Sequence, residues 1–299
     1  MNQYKKYKLV YLFYNRLLKT TKAIKLVTLS KIQMIQSSLK KRKYSLLHAK
    51  KLFESQLRIS VDMLTIKNVL IPITTERSCC GPIDQVLQNY TFKFIASFRS
   101  NHQVFFFFLG KRGYSLFKKD YKKFFLQAIF NIKKQPISFF SSSVILEQVL
   151  LNDSDYYYLL FNKFYSIFDQ TPAVYKVFSF KFFSLYFNSF SSNRLFQMLK
   201  SKKSNDFLMD FYMFNFNLLM YNALKENSVS ELGGRMAAMD NAIKNISEII
   251  IRIQILYQKA RQNAITNELI EIISCLNVLI SENKENLFFG LKNVLSKFY

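Results

Sequence analysis

Apolar residues recur at different periods along this chain, and the change of period divides it. Met239, Ile243, Ile246, Ile250, Ile253, Tyr257, Ala260 and Ala264 advance by 4, 3, 4, 3, 4, 3 and 4 residues. A 3.5-residue repeat is the seam of a left-handed coiled coil, too narrow to face a globular core, so one partner helix should lie against it. The first 60 residues hold no Gly or Pro and read as one long helix, with a looser heptad at Leu17, Ile24 and Ile35. It is the natural partner, and the two ends should pair antiparallel. A helix from 207 to 279 would be roughly 110 Å long at 1.5 Å per residue, so most of it must lie along another protein or stand in water.

Between the two helices the period shortens. "IKNVLIPITT" (66–75), "QVFFFFLG" (103–110), "YYYLLFN" (156–162) and "AVYKVFSFKFF" (173–183) read as strands. "PIDQVLQNYTFKFIASF" (82–98) and "YSLFKKDYKKFFLQAIF" (114–130) read as helices. Alternating strands and helices predict a mostly parallel, doubly wound α/β domain of Rossmann-like form. The expected division is an N-terminal helix over 1–60, an α/β domain over 61–205, a C-terminal helix over 206–279 and an extension over 280–299. In the extension Leu287, Leu291, Val294 and Phe298 are spaced 4, 3 and 4, which predicts a short amphipathic helix of its own.

Charge adds a partner class. The formal net charge is +24, and no Asp or Glu precedes Glu54. Such a surface steers toward acidic partners: nucleic acid, an anionic membrane or acidic protein loops. "KKRK" (40–43) is either a solvated face or a contact with such loops. An acid-free, basic, amphipathic start is also the composition of a targeting peptide, although here it runs without a break into the helical segment. With Gly 6 and Pro 4, turns are few and elements long. Three cysteines, two of them adjacent (Cys79 and Cys80), make no disulfide framework. No unbroken apolar run reaches the roughly 18–20 residues of a bilayer span.

Catalytic chemistry is hard to find. His48 and His102, the only histidines, have no carboxylate or cysteine at metal-ligand spacing. "GKRG" (110–113) is too short for a phosphate loop, and "SCCG" (78–81) has no base near it in sequence. The residues therefore describe a basic, rod-bearing interaction protein with no catalytic residue, no cofactor and no metal.

Two stretches carry a resemblance. "SELGGRMAAMDNAIKN" (230–245) and "YQKARQNAITNELIEI" (257–272) resemble the C-terminal signature of the gamma subunits of F-type ATP synthases. The family pattern there is Ser-Glu, Arg-Met, Ala-Met, Asn-Ala, then Lys-Ala-Arg-Gln, Ile-Thr, Glu-Leu and Glu-Ile. "TKAIKLVTLSKI" (21–32) is similar to the family's opening helix, and "TTERSCCGPID" (74–84), "LGKRGYSLFKK" (109–119) and "LLFNKF" (159–164) match its middle more loosely. Ser78, Cys79 and Pro82 depart from the Gly, Leu and Gly of the family turn. The paired-cysteine insert of chloroplast members is missing.

The resemblance implies a central-stalk rotor of a mitochondrial-like enzyme, peripheral on the matrix side of the inner membrane. Its foot would sit on the c-ring beside the delta/epsilon stalk subunits. Its helices would turn inside the ring of α and β subunits, driving β through open, loose and tight states. The implied stator contacts are Arg261 and Gln262, whose side chains can hydrogen-bond stator carboxylates and backbone. Thr266 and Arg235 occupy matching positions. Leu269, Ile272, Leu276 and Leu279 would form the tip in an apolar bearing, where contact has to be non-directional. The rival class is a basic organellar RNA- or ribosome-binding protein, which the charge and the many Tyr and Phe residues invite.

Overall fold

The computed structural model describes residues 3–40, 47, 49, 50, 53, 66–98, 102–118, 124–132, 136–189 and 205–295. The side chains of 36–40, 186–189, 205 and 281–295 are not among them. His48 and residues 41–43 of the "KKRK" run lie outside the described residues.

The elements are α1 (Gln3–Lys40), β1 (Ile66–Pro72), α2 (Ile83–Ala96), β2 (His102–Leu109), α3 (Lys111–Phe117) and β3 (Phe125–Ile129). They continue with α4 (Phe139–Leu150), β4 (Tyr156–Phe164), β5 (Gln170–Phe178), α5 (Phe180–Ser189) and α6 (Asn205–Leu295). The chain forms two compact units. Ile24–Asp240 is one, and Met1–Ala23 with Asn241–Tyr299 is the other.

The first unit is built on a five-stranded sheet of order β3-β2-β1-β4-β5. β1 to β4 are parallel, and β5 returns antiparallel along β4. Central parallel strands are covered on both faces and so read as unbroken apolar runs. β2 does this with Phe106, Phe107 and Phe108, all buried. Successive strand residues point to opposite faces. Tyr158 meets Phe94 of α2 on one face, while Tyr157 meets Phe216 of α6 on the other. α3 packs beside α2 through Phe117 on Phe92. α4 lies against α6, where the Ser142 hydroxyl donates to Asn217 Oδ1 at 2.6 Å. The sheet is thus wound on both faces, as the Rossmann-like reading expects.

Four local readings change. The 114–130 stretch is not one helix: α3 ends at Phe117, and Phe125–Ile129 forms β3 on the sheet edge. There "FLQAI" offers alternate apolar residues and pairs in parallel with β2. The 173–183 strand is cut at Phe178. Ser179 N donates to Asp155 O, Phe183 N donates to Ser179 O, and α5 begins. α4 went unread because its apolar residues are crowded by serines. Its start is a capping box in which the side chains of Ser138 and Ser141 each accept from the other's backbone N–H. The C-terminal extension is no helix of its own, since α6 runs unbroken through Leu295.

The second unit holds the beginning of α1 and the later part of α6. On α6 Ile246 and Ile253 are buried, and Ile243, Ile250, Tyr257, Ala260 and Ala264 are half-buried. On α1 the covered face is Tyr4, Tyr7, Tyr11, Tyr14, Leu18 and Thr21, spaced 3, 4, 3, 4 and 3. The same period continues in the first unit through Lys25, Thr28, Ile32 and Ile35. This corrects the expected heptad, because Leu17 and Ile24 are exposed at 37% and 45%. The seam holds tyrosines and threonines instead. Each buried Thr satisfies its own hydroxyl: Thr21 donates to Leu17 O and Thr28 to Ile24 O.

Candidate functional site

A rod can transmit force to a sheet only if the joint resists sliding. The joint here is the part of α6 from Glu226 to Arg235. Asn227 Oδ1 accepts from both the backbone N and the Nδ2 of Asn162, each at 3.3 Å. Ser230 Oγ donates to Asn162 O at 2.8 Å, and Glu226 Oε2 accepts from Phe164 N at 3.3 Å. These bonds tie α6 to the end of β4 with directional contacts, which fix register in a way apolar packing does not.

Next along α6 come two glycines, a costly choice in mid-helix. Close approach explains both. A Cβ on Gly234 would stand 2.6 Å from Cys80 O. One on Gly233 would stand 2.6 Å from Gln170 Nε2 and 2.8 Å from the Phe164 ring. The helix backbone thus rests directly on the 78–81 turn and on the loop end of the β4–β5 hairpin. The turn itself bends through positive φ at Cys79 (67°) and Gly81 (71°).

Under this contact lies a charged cluster. Arg235 Nη2 is 2.8 Å from Glu231 Oε1 and 3.3 Å from Cys80 Sγ. Cys80 is fully buried, and burial, then the neighbouring Glu231 carboxylate, push its thiol up to about 11. It therefore stays protonated and unreactive near neutral pH, while Cys79 and Cys275 are exposed. The "SCCG" turn is a structural seat for α6. Similarly, "GKRG" closes on Thr74: Gly113 N donates to Thr74 Oγ1 at 3.0 Å, and Gly110 bends at φ 111°. His102 stacks on Phe98 with ring centroids 5.2 Å apart and sits 2.9 Å from Asn68 Nδ2. Among the described residues no group of His, Cys, Asp or Glu is arranged to hold a metal.

A second link lies nearby. Lys25 of α1 pairs with Asp240 of α6, which sets an antiparallel register.

The singled-out residues fall into three environments. Met239, Ile246 and Ile253 are buried, while Ile243, Ile250 and Tyr257 are half-buried. Arg261, Gln262 and Thr266 are exposed, and the Thr266 hydroxyl donates to Gln262 O. Arg235 departs from expectation: its side chain is turned inward, 14% exposed and paired with Glu231. Beyond Ala264 every described residue of α6 is exposed. Leu269, Ile272, Leu276 and Leu279 are 51–56% exposed, as are Ile270, Ile273, Val278 and Ile280 at 53–56%. Apolar residues there occupy nearly the whole circumference. Asp206–Ile280 contains an exposed 18-residue window that is, by length and composition only, long and apolar enough to cross a membrane.

The chain matches a family model described as ATP synthase over residues 13–279. It is 33% identical to "ATP synthase subunit gamma, mitochondrial" of Trypanosoma brucei brucei, over 89% of this chain and 89% of that protein. It is 27% identical to the Arabidopsis thaliana protein of the same description, over 87% and 81%. Among solved structures it superposes on a chain of the Euglena gracilis mitochondrial ATP synthase rotor with a TM-score of 0.75 at 20% identity, covering 88% and 98%. For a chain of the OSCP/F1/c-ring structure of the same enzyme the TM-score is 0.79 at 22% identity, covering 94% and 96%. This chain belongs to the gamma-subunit family of ATP synthases, and its role is that of the central stalk. The RNA-binding rival finds no support, and the Phe residues it would display as a stacking surface are largely sheet core.

Proposed function

We propose that this chain is the non-catalytic shaft of a mitochondrial ATP synthase, carrying torque between a c-ring below and a head of α and β subunits above. The foot is the sheet unit, set beside the delta/epsilon stalk subunits. The shaft is the paired part of α1 and α6. Nothing in this role needs an active site, because ATP forms on β while the shaft imposes asymmetry. Arg261, Gln262 and Thr266 are the stator-facing polar residues. Arg235 belongs to the joint instead.

One observation carries this reading: α6 outlasts its partner and continues bare, apolar on nearly every side. A lone helix of that composition is not stable in water, and its stabilisation has to come from a surrounding apolar wall. Leu269, Ile272, Leu276 and Leu279 are then the bearing surface, each gaining about 2 kcal/mol on burial in the head. Replacing all four with serine tests this. The free chain should unfold at an unchanged denaturant midpoint, since it buries none of them. The assembled enzyme should shed its head at markedly lower denaturant than the unaltered enzyme. An unaltered assembly, or an equally weakened free chain, defeats the assignment.

A further inference from the structure

The covered faces of the two long helices are nearly free of charge, and the exception falls at one point. On α1 that face is Tyr4, Tyr7, Tyr11, Tyr14, Leu18, Thr21, Lys25, Thr28, Ile32 and Ile35, with Lys25 its single charged member. On α6 the seam from Met239 to Ala264 carries no charge, and Asp240 flanks its first residue. Lys25 Nζ is ion-paired with Asp240 Oδ1, and both side chains are half-buried. Both residues lie at the limit of the sheet unit, which begins at Ile24 on α1 and ends at Asp240 on α6.

Stability does not account for this pair. Pairs this open contribute little to it, and apolar residues at both positions would continue the seam at no loss. What such a pair supplies is discrimination. A seam that repeats itself specifies register poorly, because a shift of one heptad restores similar contacts. Both seams here repeat. Tyr4 and Tyr7 recur seven residues on as Tyr11 and Tyr14, and Thr21 recurs as Thr28. On α6 Ile243 and Ile246 recur as Ile250 and Ile253. Lys25 breaks the repeat, since seven residues on stands Ile32. A slipped pairing would part Lys25 from its carboxylate and hold an unpaired ammonium against the seam, which is costly. A lone charged residue in an apolar seam selects one alignment in this way.

We propose that the Lys25–Asp240 pair is a register device, selecting the observed alignment of α1 and α6 over those one heptad away. The proposal rests on reading the paired helices as a shaft. A shaft needs one alignment, because the head has to meet the same side chains at the same height on every turn.

Distance measurement between two spin labels tests it. The labels replace Leu9 on α1 and Asn241 on α6, both exposed, in the full chain carrying Cys79→Ser and Cys275→Ser. These sites stand well apart along the helix axis, so slip appears as a change of distance. With Lys25 and Asp240 in place, one distance is expected. Lys25→Leu with Asp240→Leu should add a second, displaced by about 10 Å for seven residues at 1.5 Å each, at an unfolding midpoint no lower. Alanine at both positions, which adds no bulk, should give the same two distances. Lys25→Asp with Asp240→Lys should return the single native one. The proposal is overturned if the leucine and alanine variants keep the native distance alone, or if the exchanged pair gives the same mixture as they do. Either result leaves the bearing assignment standing, since that is read from the assembled enzyme.

Discussion

Glu231→Ala should destabilise the sheet unit by about 3 kcal/mol, the lower end of the range for breaking a buried ion pair. The argument rests on burial. Glu231 and Arg235 are 7% and 14% exposed, so removing the carboxylate leaves a guanidinium without its counter-charge beside the apolar Cys80 seat. The same i,i+4 pair on an open helix face would contribute only about 0.3–0.5 kcal/mol. Lys25–Asp240 supplies the internal comparison. Its side chains are 35% and 24% exposed, and Lys25→Ala should cost no more than about 1 kcal/mol. Denaturant unfolding of the two variants measures both. Equal small losses would mean that water reaches the Glu231 cluster and that it does not anchor the helix.

Gly234→Leu should cost about 3 kcal/mol or more, against the ordinary rule for helices. Replacing a mid-helix glycine normally stabilises by about 1 kcal/mol, because glycine has more freedom to lose. Here any Cβ would meet the carbonyl oxygen of Cys80 at 2.6 Å, and a backbone atom cannot swing aside like a side chain. Overpacking of this kind typically costs about 1–3 kcal/mol, and the longer side chain adds to it. Gly234→Ala is the sharper variant, since its sign alone decides: destabilising if α6 rests on the turn, stabilising if it does not. A second readout is independent of stability. Lifting α6 should expose Cys80, which should then alkylate alongside Cys79. Because Glu231 and Gly234 serve one contact, their losses should not add.

The long elements were legible because their patterns are long. A seam of eight positions on α6 and the Phe run of β2 leave little room for another reading. The partner seam was misjudged for a physical reason. Tyrosine and threonine are not weighted as coiled-coil residues, yet Tyr4, Tyr7, Tyr11 and Tyr14 have the 3, 4, 3 spacing in plain view. What lets the threonines serve is local: their hydroxyls bond back to their own turn. β3 was hidden because a five-residue edge strand following a lysine run has too little pattern to distinguish itself from helix. The joint was hidden more deeply. It brings Cys80 together with Glu231 and Arg235 across some 150 residues of sequence. Only "GG" in the middle of an otherwise helical stretch hinted that something presses against the helix there. The resemblance made Arg235 a stator-contact candidate, and nothing in the sequence signals its inward turn, since Glu231 one turn earlier is unremarkable until the turn covering both is known.

The central claim is that this chain turns inside a stationary head. The exposed Cys79 thiol on the foot offers a handle, with Cys275→Ser removing the other exposed thiol and buried Cys80 remaining silent. A rod-shaped optical probe attached to Cys79, in enzyme fixed to a surface through its head and supplied with ATP, should revolve stepwise in one direction. A probe that stays still, or only wobbles, while the same molecules hydrolyse ATP would contradict the account.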